Sequence, residues 1–275
     1  MRVTVAGMKA NLGVAGVLAT ATILFASTDA NAADHANGFG EKGQLLLSAD
    51  RFVPVFNYAS ASITRTENGI EATDSRSGSG LSLLFGRSFA DNQDFGVPIN
   101  VHALPRVAFD VTIIPRLTLG GAIAFGFGLG GTNETETVAG STKTTRKTDA
   151  PTGTAIGFAP RVGYILPLSD MFAFWPRAGL GIYSVSASTE RVNNNNVITT
   201  TRMTDTLFSL DLDPQFAIVP LEHFFITVGP TVNIPITGSR SVSTTTGSST
   251  VERTDDASVF NLGLNAGLGG WFNVF

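Results

Sequence analysis

The sequence predicts an all-β fold, namely a closed, antiparallel, up-and-down transmembrane β-barrel of eight strands that follows a cleaved signal peptide. Three observations lead to this prediction. Large apolar residues alternate with small or polar ones in one segment after another, no apolar run beyond Ala32 is long enough for a spanning helix, and tight connections alternate with long polar ones. The chain of 275 residues is 43% hydrophobic and only 15% charged, as expected if one face of each strand meets lipid.

The first 32 residues have the pattern of a secretory signal peptide. A positively charged start is followed by the apolar stretch LGVAGVLATATILFAS and by the A-x-A cleavage pattern Ala30-Asn31-Ala32. The apolar stretch is shorter than the roughly 20 residues of a bilayer-spanning helix, which argues against an anchor. We therefore expect residues 1–32 to be removed before Ala33 and residues 33–275 to form the barrel domain. The chain has no cysteine, so no disulfide framework is expected.

The segment LTLGGAIAFGFGLGG, residues 117–131, shows the strand pattern most clearly. Leucine, isoleucine and phenylalanine occupy one parity from Leu117 to Leu129, with Gly121 as the exception, and Gly, Ala and Thr occupy the other. Side chains alternate between the two faces of a strand, so one face is large and apolar and the other is small. A helix would mix these two sets.

Seven further segments divide in the same way, the first of them less regularly. They cover residues 44–62, 99–113, 156–166, 172–182, 208–218, 224–236 and 260–272. A soluble β-sandwich places its apolar face inward and a charged face in water, whereas here the second face holds Gly, Ala, Thr and a few charges. Small side chains suit the narrow interior of an eight-stranded barrel, so the apolar face is expected to meet lipid. A secreted β-sandwich that binds a ligand ranks third among the interpretations.

The connections between these segments are of two kinds. Tight ones lie at 113–117, 166–172 and 219–224. Long polar ones lie at 64–98, 132–151, 188–203 and 238–257. Barrels of the bacterial outer membrane have short periplasmic turns and longer extracellular loops, so the long connections are predicted to be extracellular loops.

The inward positions of the predicted strands collect charges of both signs. They are Asp50, Arg106, Asp110, Arg161, Arg177, Asp211 and Asp213. An isolated charge in a narrow lumen is costly, so we expect Arg–Asp pairs that plug the barrel. The alternative is a narrow channel for small or hydrophobic solutes.

Other classes of function receive little support. The formal net charge of −4 gives no basic surface for nucleic acid. Of the three histidines, His35 lies near the expected mature N-terminus, His223 lies in a predicted turn, and only His102 is expected inside. No hydrolase motif accompanies His102, so we predict no catalytic residue, no metal site and no cofactor.

With these strands and turns, the chain resembles the small eight-stranded outer-membrane β-barrel proteins of Gram-negative bacteria, the OmpA-like and OmpX-like group. The resemblance covers nearly all of residues 33–275. It implies a bacterial outer-membrane location, contact with outer-membrane lipid and lipopolysaccharide, a monomeric state and a structural or surface-interaction role without catalysis.

The C-terminus carries a further part of this resemblance. Proteins of the group end in an aromatic residue that the outer-membrane assembly machinery, the BAM complex, recognises, and Phe275 matches that position. The group usually continues this signal with hydrophobic residues at alternate positions, but here Asn273, Gly269 and Gly267 share the parity of Phe275. A bulge near Gly269-Gly270 would switch the faces. The face on which Trp271 lies is therefore left open.

Overall fold

A computed structural model of the protein describes residues 38–67, 70–81, 101–139, 142–192 and 197–274. The predicted signal peptide with its cleavage site at Ala30, Ala32 and Ala33 lies outside the described residues, as does the predicted assembly signal Phe275.

The described residues form ten β-strands. In chain order they are β1 (Gln44–Glu67), β2 (Ile70–Leu81), β3 (Arg106–Ile114), β4 (Leu117–Ala139), β5 (Thr142–Tyr164), β6 (Leu166–Pro167), β7 (Phe172–Val192), β8 (Ile198–Leu221), β9 (Phe224–Thr246) and β10 (Ser249–Asn273).

Eight of these strands close into an antiparallel ring in the order β1-β3-β4-β5-β7-β8-β9-β10. The ring closes because β10 pairs with almost the whole length of β1, from Gln44 opposite Asn273 to Thr64 opposite Asp256. The other two strands are not members of the ring: β2 pairs with the second half of β1, and the short β6 pairs with β7. The predicted eight-stranded barrel is thereby confirmed.

Alternate side chains point out of and into the barrel, as the sequence pattern requires. On β4, Leu119 and Phe127 are 55% and 65% exposed, whereas Thr118 and Ala122 are fully buried. The same alternation around the ring produces an outward band of large apolar residues that we call the apolar belt. Its members include Leu119, Ile123, Phe125, Phe127, Ile156, Phe158, Val162, Phe172, Leu180, Ile182, Phe216, Ile226, Ile236, Leu262, Leu264, Leu268 and Phe272.

The strand predicted at 99–113 begins later than expected. Val101–Ala103 form a 3-10 turn, and the ladder with β4 starts at Arg106. Pro105 has no N–H to donate to a ladder, which explains the late start. Val101 and His102 are about 1% exposed. Within the described part of the chain, no helix is long and apolar enough to cross a membrane.

The long polar connections turn out to be mostly strand, so the prediction of long loops was wrong for three of the four. Hairpins continue through them, with Ala139 close to Thr142, Val192 close to Ile198, and Thr246 joined to Ser249 by two residues. These segments are polar on both faces, which hid them from a search for apolar alternation. Threonine is nevertheless favoured in strands because its branched side chain suits the extended backbone. In the fourth connection, residues 70–81 form β2 and residues 82–100 lie outside the described range.

The tight connections are confirmed as short turns. Arg116 between β3 and β4 and His223 between β8 and β9 take left-handed backbone conformations, with φ of 73° and 64°. Such conformations reverse the chain within two residues. The eight ring strands therefore meet compact turns at one end and extended polar hairpins at the other.

Candidate functional site

The interior of the barrel is filled in three layers, which occur in order along β7. Trp175 lies in an aromatic layer next to the short turns, Arg177 lies in an ion layer above it, and Tyr183 lies in an upper apolar layer. The aromatic layer comprises Phe39, Leu46, Ile165, Ala173, Trp175, Ala217, Val219, Phe225 and Trp271. The upper apolar layer comprises Ala61, Val101, Ala124, Ala155, Tyr183, Val185, Leu207, Ala257 and Val259, with Leu104 packed against it.

The ion layer brings together all seven charged residues that the sequence placed inside. Arg161 binds Asp110 with two parallel hydrogen bonds, from Nε to Oδ1 at 2.9 Å and from Nη2 to Oδ2 at 2.5 Å, and it also contacts Asp50. Two-fold pairing of this kind is the strongest geometry available to a guanidinium and a carboxylate. Arg177 Nη1 lies 3.3 Å from Asp50 Oδ2, so Asp50 has two arginine partners.

Arg106 joins the second half of the ion layer to the first. Its Nη2 lies 2.8 Å from Asp213 Oδ2 and its Nη1 lies 3.3 Å from Asp211 Oδ2. Its Nη2 is also 3.9 Å from Asp50 Oδ2. Because one arginine reaches carboxylates on both sides, the ion pairs form a single network across the lumen.

Arg51 is an eighth member of the ion layer that the sequence reasoning did not include. Its Nη2 lies 3.0 Å from Asp213 Oδ1, and the residue is 3% exposed. The seven predicted residues comprise four aspartates and three arginines, so Arg51 brings the layer to formal neutrality. A neutral network is the arrangement that costs least in a low-dielectric interior.

A bulge in β1 explains why Arg51 points inward beside Asp50. Opposite β10, Ala49 pairs with Leu268 and the next pair is Val53 with Ala266, so three residues of β1 face a single residue of β10. Arg51 takes a left-handed φ of 54°, which turns two consecutive side chains to the same face. A prediction based on strict alternation could not place Arg51 inside the barrel. The adjacent charges Asp50-Arg51 before an apolar stretch are a signal for such a bulge.

Arg51 also connects the ion layer to the 3-10 turn. Its Nη1 donates a 2.6 Å hydrogen bond to the backbone oxygen of His102. The His102 ring packs edge-on against Tyr183 at 5.1 Å between centroids, and the Tyr183 hydroxyl donates to Asp211 at 3.3 Å. The turn is thus held inside the barrel, and His102 is buried in the lumen toward the hairpin end, inside as the sequence predicted.

A second buried ion pair lies nearer the hairpin end, in segments that the sequence placed in or beside loops. Arg240 donates to Asp205 from Nε at 2.6 Å and from Nη2 at 2.7 Å. Both residues are at most 1% exposed. This pair was missed because β8 and β9 run further than the apolar pattern indicated.

Phe39 closes the end of the barrel with the short turns. Its ring lies 5.1 to 5.6 Å from the rings of Trp175, Phe225 and Trp271, measured between centroids. The backbone beside it is fixed by hydrogen bonds from Arg116 N to Gly40 O and from Gly40 N to the Gln44 side chain. The segment that precedes β1 therefore caps the lumen.

Trp271 points inward, and the bulge considered near Gly269-Gly270 does not occur. Buried and outward residues alternate without interruption from Asn261 to Phe272, and the pairing of β10 is continuous with β9 from Asn261 to Gly270 and with β1 from Leu268 to Asn273. Because the register is unbroken, Phe272 and Val274 face outward at 58% and 57% exposure. The irregularity lies in β1 instead.

The aromatic and ion layers contact each other directly. The Arg177 guanidinium lies over the Trp175 ring at 4.6 Å from its centroid, a cation–π geometry. Trp175 Nε1 donates to Thr118 Oγ1 at 3.2 Å. Gly163 leaves room for both groups, since a Cβ there would lie 2.6 Å from Trp175 Nε1.

Little empty space remains in the ion layer. One cavity of about 10 Å³ lies among its members and is lined by residues that include Arg106, Arg161, Arg177, Asp211 and Asp213. Such a volume holds about one water molecule. Among the described residues, no group of three or more His, Asp or Glu side chains is arranged to hold a metal ion.

Replacing Arg51 with methionine is expected to lower the free energy of unfolding by about 1–3 kcal/mol, because the His102 carbonyl and one Asp213 oxygen lose a charged donor. Asp213 keeps Arg106 as a partner, which limits the loss. Urea titration of the reconstituted barrel measures the effect. The free energy of unfolding of the Arg51→Lys variant is expected to lie between those of the wild type and of the methionine variant. A methionine variant as stable as the wild type would contradict the role assigned to Arg51.

A scan against protein-family models and a sequence comparison with curated proteins both give no match. Among solved structures, the chain is similar to Ail, the attachment invasion locus protein of Yersinia pestis, with a TM-score of 0.30 and 11% identity over 84% of this chain and 99% of that one. It is also similar to the outer membrane protease OmpT from Escherichia coli, with a TM-score of 0.36 and 8% identity over 83% and 96%. Both similarities are weak, and the fold rests on the strand register described above.

Proposed function

We propose that the protein is a non-enzymatic β-barrel of the bacterial outer membrane, with a closed lumen and a structural or surface-interaction role. The observation that carries this proposal is the neutral ion layer between two apolar layers. A cavity among the ion pairs has a volume of about 10 Å³, which holds about one water molecule. A solute could cross only if buried ion pairs separated.

The apolar belt supports the membrane location. On β10 the outward apolar residues run from Phe260 to Phe272. At a rise of about 3.4 Å per residue and a tilt of about 45°, this stretch crosses roughly 29 Å. The hydrocarbon core of a bilayer is about 30 Å thick, so the belt matches it.

The sidedness follows from the two ends of the barrel. Past Ile236, the last belt residue on β9, the strand continues from Thr237 to Thr246 with Ser, Thr and Arg at all positions except Gly238 and Val242. Among the described residues, the connections between ring strands at the opposite end are short. In outer-membrane barrels the short turns are periplasmic, so the polar hairpins are assigned to the cell exterior.

The absence of catalysis is proposed from the environment of His102. The ring is about 1% exposed and lies beneath the hairpin end of the barrel against Tyr183. A general base needs access to its substrate or to an activated water. His102 is better explained as part of the packing that holds the 3-10 turn inside.

The proposal extends to partners. The apolar belt is assigned to contact with outer-membrane lipid, including lipopolysaccharide, and the C-terminal strand β10 to recognition by the outer-membrane assembly machinery. Support for the second assignment is the aromatic residue Phe275 alone, because the outward residues Phe272 and Val274 have the opposite parity to it. Closure of the ring within one chain is consistent with a monomer.

The purified barrel in a planar lipid bilayer is expected to produce no stable conductance steps, because three filled layers block the lumen. Discrete steps from the wild type would favour the narrow channel instead. The conductance of the Arg106→Ala and Arg161→Ala variants then shows whether the ion layer is the barrier, because either change removes a guanidinium from the closed network.

Two further measurements test the location. The folded barrel is expected to migrate differently on a gel before and after boiling, and to be found in the outer-membrane fraction of cells. Recovery of the protein in the soluble periplasmic fraction would contradict the proposal.

A further inference from the structure

Rows of hydroxyl side chains lie on the outside of the barrel just above the apolar belt, on one side of the ring from β7 through β10 to β1 and β2. One row crosses six strands through paired residues, and a second row lies above it on four strands. We call these rows the hydroxyl collar. The first row comprises Ser184, Thr206, Ser239, Asp256, Thr64 and Thr73, and the second comprises Ser186, Thr204, Ser241 and Thr254.

The collar side chains face outward because their neighbours along the strands face inward. Val185, Leu207 and Ala257 are buried in the upper apolar layer, and the residues on either side of them belong to the collar or adjoin it. Hydroxyls within the collar contact each other, as Ser186 Oγ and Thr204 Oγ1 lie 3.0 Å apart. Thr64 Oγ1 and Thr73 Oγ1 lie 3.1 Å apart.

The collar is continuous with the apolar belt. Two residues before Ser184 on β7 is Ile182, a belt residue that is 47% exposed and pairs with Phe208 on β8. If the belt lies in the hydrocarbon core, the next outward positions lie at the level of the lipid headgroups. The collar therefore faces headgroups rather than bulk water.

The chemistry of the collar favours one kind of headgroup. A hydroxyl both donates and accepts hydrogen bonds, which matches the hydroxyls of sugars. Recognition of phosphate relies on Arg or Lys, and neither occurs in the two rows, whose one charge is that of Asp256. Each such hydrogen bond contributes little in competition with water, so affinity requires rows of them.

We infer that the hydroxyl collar binds the saccharide headgroups of glycolipids in the outer leaflet. The inference rests on the proposed function, because it needs the belt to be in the membrane with the hairpins outside. It adds the surface, the partner chemistry and a mode of recognition through sugar hydroxyls rather than phosphates.

The test compares vesicles of phosphatidylcholine with vesicles that also contain neutral digalactosyl diacylglycerol. The glycolipid is expected to raise the unfolding temperature of the wild-type barrel, read from the gel-mobility shift, by about 2–4 °C. Ser186→Ala combined with Thr204→Val removes a hydrogen-bonded hydroxyl pair of the second row and is expected to lose most of this rise. Thr199→Val with Thr246→Val is the matched control, since these hydroxyls also lie 3.0 Å apart but at the far end of the strands.

Two results would overturn the inference: no rise in the wild type with the neutral glycolipid, or an equal rise in the Ser186/Thr204 variant. If that variant does not fold in phosphatidylcholine alone, Ser241→Ala with Thr254→Val replaces it on the neighbouring strands. A wild type that folds in phosphatidylcholine but ignores the sugar contradicts this inference alone. A wild type that fails to insert at all contradicts the proposed function.

Discussion

Replacing Arg161 with methionine is expected to lower the free energy of unfolding of the barrel by about 3–5 kcal/mol. Arg161 is the arginine that binds Asp110 within the described network, and it is also a partner of Asp50. Its removal takes from the buried Asp110 carboxylate the two hydrogen bonds that Arg161 donates, and methionine cannot replace them. Urea titration of the reconstituted protein measures the loss.

A second change shows whether the loss comes from the unpaired charge. Arg161→Met combined with Asp110→Asn restores formal neutrality to the ion layer and is expected to recover about 0.5–3 kcal/mol of the loss. Asp74→Asn is the control, because Asp74 pairs with Arg65 at 2.9 Å but its side chain is 60% exposed. An exposed pair contributes at most about 1 kcal/mol. Equal losses for Arg161→Met and Asp74→Asn would contradict a closed ion layer.

Most of the barrel could be predicted from the sequence, because outward apolar residues of the belt alternate along each strand with small inward residues. Six of the eight predicted strands lie wholly within ring strands of the structure; the segment at 156–166 runs two residues past the end of β5, and the segment at 99–113 starts late. The inward charges were found by the same rule, since Asp110, Arg161 and Asp211 occupy inward parity on regular strands. Where both faces are polar, the period disappears, and the hairpin ends of β8, β9 and β10 were assigned to loops.

Two features of the interior could not follow from alternation. Arg51 points inward because of a bulge, which inserts residues and shifts the parity. Phe39 lies before the first strand, in a segment without any period, and its burial depends on aromatic rings from β7, β9 and β10. Contacts between residues distant in the chain decide both positions. Local pattern carries no information about them.

Replacing Phe39 with alanine is expected to lower the free energy of unfolding by about 3–5 kcal/mol, because it leaves a cavity among three aromatic rings. The backbone hydrogen bonds of Gly40 remain, so the segment stays in place and the cavity does not collapse. The chain has two tryptophans, and both Trp175 and Trp271 contact Phe39. Their fluorescence is therefore expected to shift to longer wavelength and to become accessible to acrylamide as water enters.

Phe127→Ala is the matched control for this cap. Phe127 is 65% exposed on the apolar belt, so the same truncation removes lipid contact without opening the aromatic layer, and tryptophan emission should stay unchanged. The Phe39→Ala barrel is expected to remain without conductance, since the ion layer still closes the lumen. Conductance in that variant would show that Phe39 alone blocks the barrel, and unchanged emission would show that Phe39 does not cap the tryptophans. Conductance would contradict closure of the lumen by the ion layer, and unchanged emission would contradict closure by the aromatic layer.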